Sequence, residues 1–126
     1  MIAAVGVDAL EIARLQRLWD RSGTRFLERV FTIAERDYCL GRGRPSESLA
    51  ARFAAKEAVM KCLGTGWGQG VGFLQIEITR SADGPVGVQL HGAAAAIAQQ
   101  RGFGRIHLSL THTDSMAVAF AVAETA

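Results

Sequence analysis

The apolar pattern divides the chain into a helical first half and a strand-rich second half. Residues 2–7, Ile-Ala-Ala-Val-Gly-Val, form a continuous apolar run ahead of Asp8 and predict a short buried strand. From Leu10 to about Arg21 the period lengthens, with Ile12, Leu15, Leu18 and Trp19 on one helical face and Ser22-Gly23 as the stop. A short helix or turn over Phe26–Phe31 follows. Thr32 and Glu35 have capping-box spacing, so a further helix opens there and ends near Gly41. Arg42–Ser48, with Gly43 and Pro45, reads as a loop, and Ser46 or Ser48 is placed to cap the next element.

That next element, residues 50–66, is the helix on which the chain is organised. Leu49, Phe53, Val59, Met60 and Leu63 fill one arc, and Ala50, Ala51, Ala54, Ala55, Ala58 and Cys62 fill the other. A helix apolar all round is buried. Gly64 ends it. Gly64–Gly72 carries glycine at every second position. It follows a helix, has no lysine-serine/threonine pair and lacks dinucleotide spacing, so it reads as a connector that could order over a ligand.

Phe73–Arg80 and Val86–Leu90 predict a hairpin around an Asp83-Gly84-Pro85 turn. Gly92–Gln100 is a small-residue helix stopped by Gly102, and Arg105–Thr113 pairs with Met116–Ala123 around Asp114-Ser115. In the last strand Ala117, Ala119, Ala121 and Ala123 face one way, and Met116, Val118, Phe120 and Val122 the other. An alanine face calls for close approach, by the alanine arc of the central helix or by another subunit. The sum is an α+β fold, an antiparallel sheet packed against a long central helix in one compact domain.

Composition narrows the class. At 126 residues with 49% hydrophobic and 21% charged residues, the chain is one folded domain rather than a disordered segment. Nothing in it has the length and apolarity to span a bilayer, and no basic, then apolar, leader opens it. Cys39 and Cys62 have no metal or redox spacing, which suits free thiols in a reducing cytoplasm. A net charge of +2 does not point to nucleic acid. Its distribution is more telling. Arg14, Arg17 and Arg21 fall within about 60° on the first helix, and Arg25 follows. A single-signed stripe of this kind suits an acidic partner.

The central helix carries charges that plain core would not. Lys56 projects into the bulky apolar arc, while Glu57 and Lys61 lie about 40° apart at the edge of the small-residue arc. As a simple i,i+4 ion pair, Glu57 and Lys61 would contribute only about 0.2–0.5 kcal/mol, and Arg52 and Lys56 could snorkel. Yet the chain has only two lysines among 14 basic residues, both in this helix. A compact ammonium is the right point charge for phosphate. Asp8 has two readings, a helix cap with Glu11 or a hard-metal ligand at a strand end. Zinc spacing and a nucleophile elbow are both missing, although Ser109 and His112 share a strand. The remaining chemistry is two carboxylates, Asp8 and Glu57, able to hold magnesium with substrate oxygens, beside a lysine that neutralises charge on a transferring phosphoryl group. Whether the two carboxylates meet, in one chain or across two, is open at this level.

The motifs together resemble a known family. Gly6-Val-Asp-Ala-Leu-Glu-Ile12, Phe31-Thr-x-x-Glu35-Arg36, Phe53-Ala-Ala-Lys-Glu-Ala-Val-Met-Lys-Cys-Leu-Gly-Thr-Gly66 and Leu108-Ser-Leu-Thr-His-Thr113 match, in order, the blocks of the short, trimeric phosphopantetheinyl transferases, the holo-acyl-carrier-protein synthases. The resemblance implies that fold. It also implies transfer of 4′-phosphopantetheine from coenzyme A to a serine of an apo acyl carrier protein, with release of adenosine 3′,5′-bisphosphate. By the same resemblance Asp8 and Glu57 are magnesium ligands, and Glu57 and Lys61 are catalytic. Arg52, Lys56, Lys61, Gly64, Ser109 and His112 contact coenzyme A, and Arg14, Arg17, Arg21 and Arg25 meet the carrier. A homotrimer with sites between subunits is implied as well. Cys62, where alanine is usual, and Ala9-Leu10, in place of a more β-branched pair, depart from the family pattern. A non-catalytic adaptor using the arginine stripe would explain that stripe but not the charges of the central helix.

Overall fold

The computed structural model describes residues 1–66, 68–80 and 84–126. The predicted turn at Asp83 and the Trp67 position of the glycine-rich connector lie outside the described residues. The elements run β1 (Ile2–Glu11), α1 (Ile12–Ser22), α2 (Thr24–Val30), α3 (Ile33–Leu40), α4 (Pro45–Leu63), a 3-10 turn (Phe73–Gln75), β2 (Ile76–Arg80), β3 (Val86–Leu90), α5 (Gly92–Gln100), β4 (Phe103–His112) and β5 (Met116–Thr125). Strands β1, β5 and β4 form one antiparallel sheet, in that order, and β2 and β3 pair as a hairpin. The α+β class and the sheet-on-central-helix arrangement are as the sequence predicts.

Four local expectations are corrected. β1 does not stop at residue 7. Asp8, Ala9, Leu10 and Glu11 stay in register with Ala119, Val118, Ala117 and Met116 of β5, so α1 starts only at Ile12. Asp8 is therefore not a helix cap, because it sits three residues inside the strand, and Glu11 in the cap position makes no side-chain cap bond. The loop expected over residues 42–48 is half helix. Pro45 occupies the first turn of α4, where a missing N–H costs nothing. Ser46 and Ser48 lie within the helix rather than capping it, and the Ser46 hydroxyl bonds Gln16 on α1. Finally, Phe73–Gln75 is a 3-10 turn and only residues 76–80 are strand. The Thr32/Glu35 capping box forms in both directions, as spacing predicts.

α4 owes its burial to alanine. Ala117, Ala119, Ala121 and Ala123 of β5 are fully buried, as are Ala50, Ala54, Ala55 and Ala58 of α4. Of the two openings left by the sequence, the alanine face of β5 is closed by α4 of the same chain. The approach is closest at β1, where a side chain on Gly6 would overlap the Ala58 carbonyl oxygen. Lys61 ties the same contact from the helix side, donating to the Val7 carbonyl at 2.7 Å. Substituting Gly6→Ala is expected to lower stability by about 1–3 kcal/mol through overpacking, measured by denaturant melt. Gly43→Ala, with open space around it, is the matched control.

The other face of the three-stranded sheet is unlike a monomer's surface. Val5 and Val7 are 55% and 50% exposed and Phe120 is 45% exposed. The register sets Val5 beside Val122 and Val7 beside Phe120, giving one contiguous apolar patch.

Candidate active site

Close packing of β1 on α4 creates the first half of the site. Asp8 of β1 and Glu57 of α4 line one pocket of about 330 Å³, with Ala9, Leu10, Arg14 and Leu18 and with Phe53 one helical turn before Glu57. The two carboxylates thus meet within a single chain. Burial raises the Glu57 pKa above the ordinary carboxylate value, and the neighbouring Asp8 charge raises it further; Lys61 and Arg14 pull it back down. Lys61 does not bridge back to Glu57 as a surface i,i+4 pair would. Its ammonium reaches across to β1, to the Val7 carbonyl and to Asp8 Oδ1 at 3.4 Å. Among the described residues no third His, Cys, Asp or Glu joins Asp8 and Glu57. Two half-buried carboxylates that repel each other, with lysine and arginine alongside, fit a magnesium ion that keeps open positions for substrate oxygens.

The second half is basic. Arg42, Arg44, Arg52, Arg80 and His112 line a separate pocket of about 330 Å³ together with Tyr38, Glu47, Ser48 and Thr111. Arg52 is the floor. It is only 5% exposed, its guanidinium stacks 4.4 Å from the Tyr38 ring centre, and it donates to the Ile78 carbonyl at 2.7 Å. Sequence reasoning found Arg52 and His112 but not Arg42, Arg44 or Arg80. The signal was present in Arg42-Gly43-Arg44-Pro45, two guanidiniums at the N-terminus of a long helix, where anions are favoured.

The two pockets share no residue, and around α4 the basic pocket's Glu47 lies about 80° from Glu57. Around α4, Arg52 lies about 140° and Ser48 about 180° from Glu57. Glu47 and Glu57 are separated by about 15 Å of helix rise.

The remaining expected residues are distributed differently. Lys56 is fully buried, and its ammonium donates to Glu35 Oε1 at 2.8 Å, the Phe73 carbonyl at 2.9 Å and the Ile76 carbonyl at 2.8 Å. Those are all three of its protons, so none is left for a ligand. Burial pushes the Lys56 pKa below its ordinary value, and the Glu35 charge opposes that shift. Glu35 also accepts from the backbone N–H groups of Ile78 and Thr32 at 2.8 Å. Gly64 caps α4 in the left-handed region (φ 74°), with Arg101 donating to the Leu63 carbonyl at 2.8 Å. Ser109 pairs with Phe120 on the outer sheet face. Arg14, Arg17, Arg21 and Arg25 are all exposed, and Arg14 also lines the carboxylate pocket. Burial raises both cysteine thiols, Cys39 to about 11, so neither is a nucleophile at neutral pH.

Comparisons with known proteins bear on the family and the fold. The family model for the 4′-phosphopantetheinyl transferase superfamily matches residues 4–121. A holo-[acyl-carrier-protein] synthase of Moorella thermoacetica is 51% identical over 119 residues, covering 94% of this chain and 91% of its own. The crystal structure of the Neisseria meningitidis holo-[acyl-carrier-protein] synthase superposes with a TM-score of 0.90 at 34% identity, covering 99% of this chain and 100% of that one. The Bacillus anthracis synthase, solved in complex with CoA (3′,5′-ADP), gives a TM-score of 0.81 at 34% identity, covering 100% and 99% of the two chains.

Proposed function

The chain belongs to the 4′-phosphopantetheinyl transferase superfamily, and from that premise we propose that it is a holo-acyl-carrier-protein synthase. It moves 4′-phosphopantetheine from coenzyme A to a serine of an apo acyl carrier protein, in the cytoplasm. The observation that carries the reading is the meeting of Asp8, Glu57, Lys61 and Arg14 around one pocket. Nucleophile activation and phosphate neutralisation are both needed there.

Asp8 and Glu57 would hold magnesium. When bound, the ion neutralises charge on the diphosphate. Glu57 also accepts the proton of the carrier serine hydroxyl as its oxygen attacks the phosphorus that bears pantetheine. The phosphorus–oxygen bond of the diphosphate breaks as the new one forms, and adenosine 3′,5′-bisphosphate leaves. Lys61, held over Asp8, stabilises the negative charge that develops on the equatorial oxygens. The basic pocket of Arg42, Arg44, Arg52, Arg80 and His112 takes the phosphate-bearing nucleotide end of coenzyme A.

The carboxylate and basic pockets are separate and about 15 Å of helix rise divides Glu47 from Glu57, so we read one coenzyme A molecule as drawing on them from two chains. The exposed Val5, Val7 and Phe120 patch supplies the surface for that association. We read the active form as a homotrimer with sites at the seams.

The carrier approaches over α1 and α2. Arg17, Arg21 and Arg25 present positive charge, and Arg25, Leu18, Phe26 and Phe53 line an apolar pocket of about 510 Å³ beside the carboxylates. Reversing charge with Arg21→Glu is expected to raise KM for the carrier by about tenfold or more and flatten its salt dependence, with KM for coenzyme A unchanged. Equal loss toward both substrates would count against docking on this face.

The function itself is tested by mixing the protein with apo carrier protein, coenzyme A and magnesium and weighing the carrier. A gain of one phosphopantetheine group is expected. No gain with any apo carrier would sink the assignment.

A further inference from the structure

The basic pocket contains one acidic side chain that the proposed reaction does not use. Glu47, in the first turn of α4, is largely enclosed, with 19% of its side chain exposed. Its two oxygens serve two different basic residues of the pocket. Oε1 accepts from Arg44 at 3.1 Å, and Oε2 lies 3.5 Å from His112 Nδ1. The Thr113 carbonyl faces the same ring nitrogen at 3.3 Å. The Thr113 carbonyl is the hydrogen-bond partner of Nδ1, and the Glu47 charge nearby favours a proton on the same nitrogen. A carboxylate inside an anion pocket weakens it electrostatically unless it orders the groups around it. Arg44 and His112 come from distant segments, one ahead of α4 and one at the end of β4, and Glu47 is the side chain that both contact.

We infer that Glu47 is the positioning residue of the coenzyme A pocket: its carboxylate bridges Arg44 and His112, setting the guanidinium fork of one toward the phosphate-bearing end of the substrate and fixing the ring of the other. The role rests on the transferase reading for its substrate but not for its geometry. Lost pre-organisation of the Arg44 fork and the His112 ring falls on coenzyme A binding rather than on the phosphoryl step.

The test uses full-length Glu47→Ala and Glu47→Gln with apo carrier, coenzyme A and magnesium, alongside nitrogen-15 NMR of the His112 ring. Glu47→Ala should raise KM for coenzyme A by about tenfold and lower kcat far less, with KM for the carrier unchanged. Glu47→Gln, which keeps one acceptor, should recover part of the loss. In the neutral ring the wild-type proton should sit on Nδ1, and Glu47→Ala should move population to the Nε2–H tautomer. An unchanged tautomer, or an unchanged KM for coenzyme A, overturns the inference. So does parallel loss of kcat, both KM values and thermal stability, which marks a merely structural residue. If the wild type transfers nothing to any carrier, the transferase reading fails, and the ring NMR still decides whether Glu47 orients His112.

Discussion

Glu57→Gln should cost at least about a hundredfold in kcat while leaving the melting temperature close to that of the parent. The substitution removes a metal ligand and the proton acceptor together but preserves side-chain shape. It also relieves repulsion, since Glu57 is half-buried and faces the Asp8 charge. The pH profile gives the sign independently. With its pKa raised, Glu57 takes up a proton at a higher pH than an ordinary carboxylate, so wild-type activity should fall on the acid side above the usual carboxylate range. A bound cation favours the ionised form, so more magnesium should push that acid limb to lower pH. Asp8→Asn removes one cause of the elevated Glu57 value, so in magnesium-free protein Glu57 of that variant should titrate at lower pH than in the parent. The readout for the acid limb is carrier mass gain per unit time across pH and magnesium concentration. A Glu57→Gln protein within twofold of wild type would remove Glu57 from both roles.

Lys56→Ala is expected to destabilise the fold by about 3–5 kcal/mol, because it strands the Glu35 carboxylate in the core. For a domain of ordinary stability, about 5–15 kcal/mol, that is about a fifth of the total or more. Glu35 is only 1% exposed and would keep just its two backbone donors. Pairing Lys56→Met with Glu35→Gln removes both charges at similar volume and should recover part of the loss, as a double-mutant cycle in urea would show. The experiment also separates the two roles this lysine could have. If Lys56→Met unfolds at the parent denaturant midpoint but binds coenzyme A poorly, Lys56 is a ligand contact after all. A large stability loss in the single variant identifies it as the clamp between α4, α3 and β2.

What was legible in the sequence was local or strongly periodic. The Thr32/Glu35 cap is a matter of four adjacent residues, and the central helix is announced by its apolar arcs. The alternation of β5 gave away its alanine face. Asp8 and Glu57 stood out by residue chemistry as a carboxylate pair, and the motif resemblance gave them the same role. What was illegible depended on contacts between distant segments. The oddity of Lys56 was visible, but its partner lies 21 residues upstream. Glu35 also had a sufficient role as the far end of a capping box, and nothing local says that one carboxylate does both. β1 ran past its predicted end because β5 offers pairing partners up to Met116; tertiary register outweighed the helical pattern at Leu10. Pro45 was read as loop punctuation, whereas proline is equally at home in the first turn of a helix. The gathering of Arg42, Arg44 and Arg80 around Arg52 needs the β2–β3 hairpin to fold against α4, which spacing alone cannot express.

The unequal exposure of the two lysines has a practical consequence. Lys56 is sealed in the core, whereas 54% of the Lys61 side chain remains open beside Asp8. Across all 126 residues, then, one lysine is open to an amine-directed reagent, the terminal amine aside. An amine-directed label on a lysine therefore lands beside Asp8, next to the carboxylate pocket. Its rate of attachment becomes a direct occupancy gauge for that pocket, usable before any carrier protein or assay for turnover is in hand.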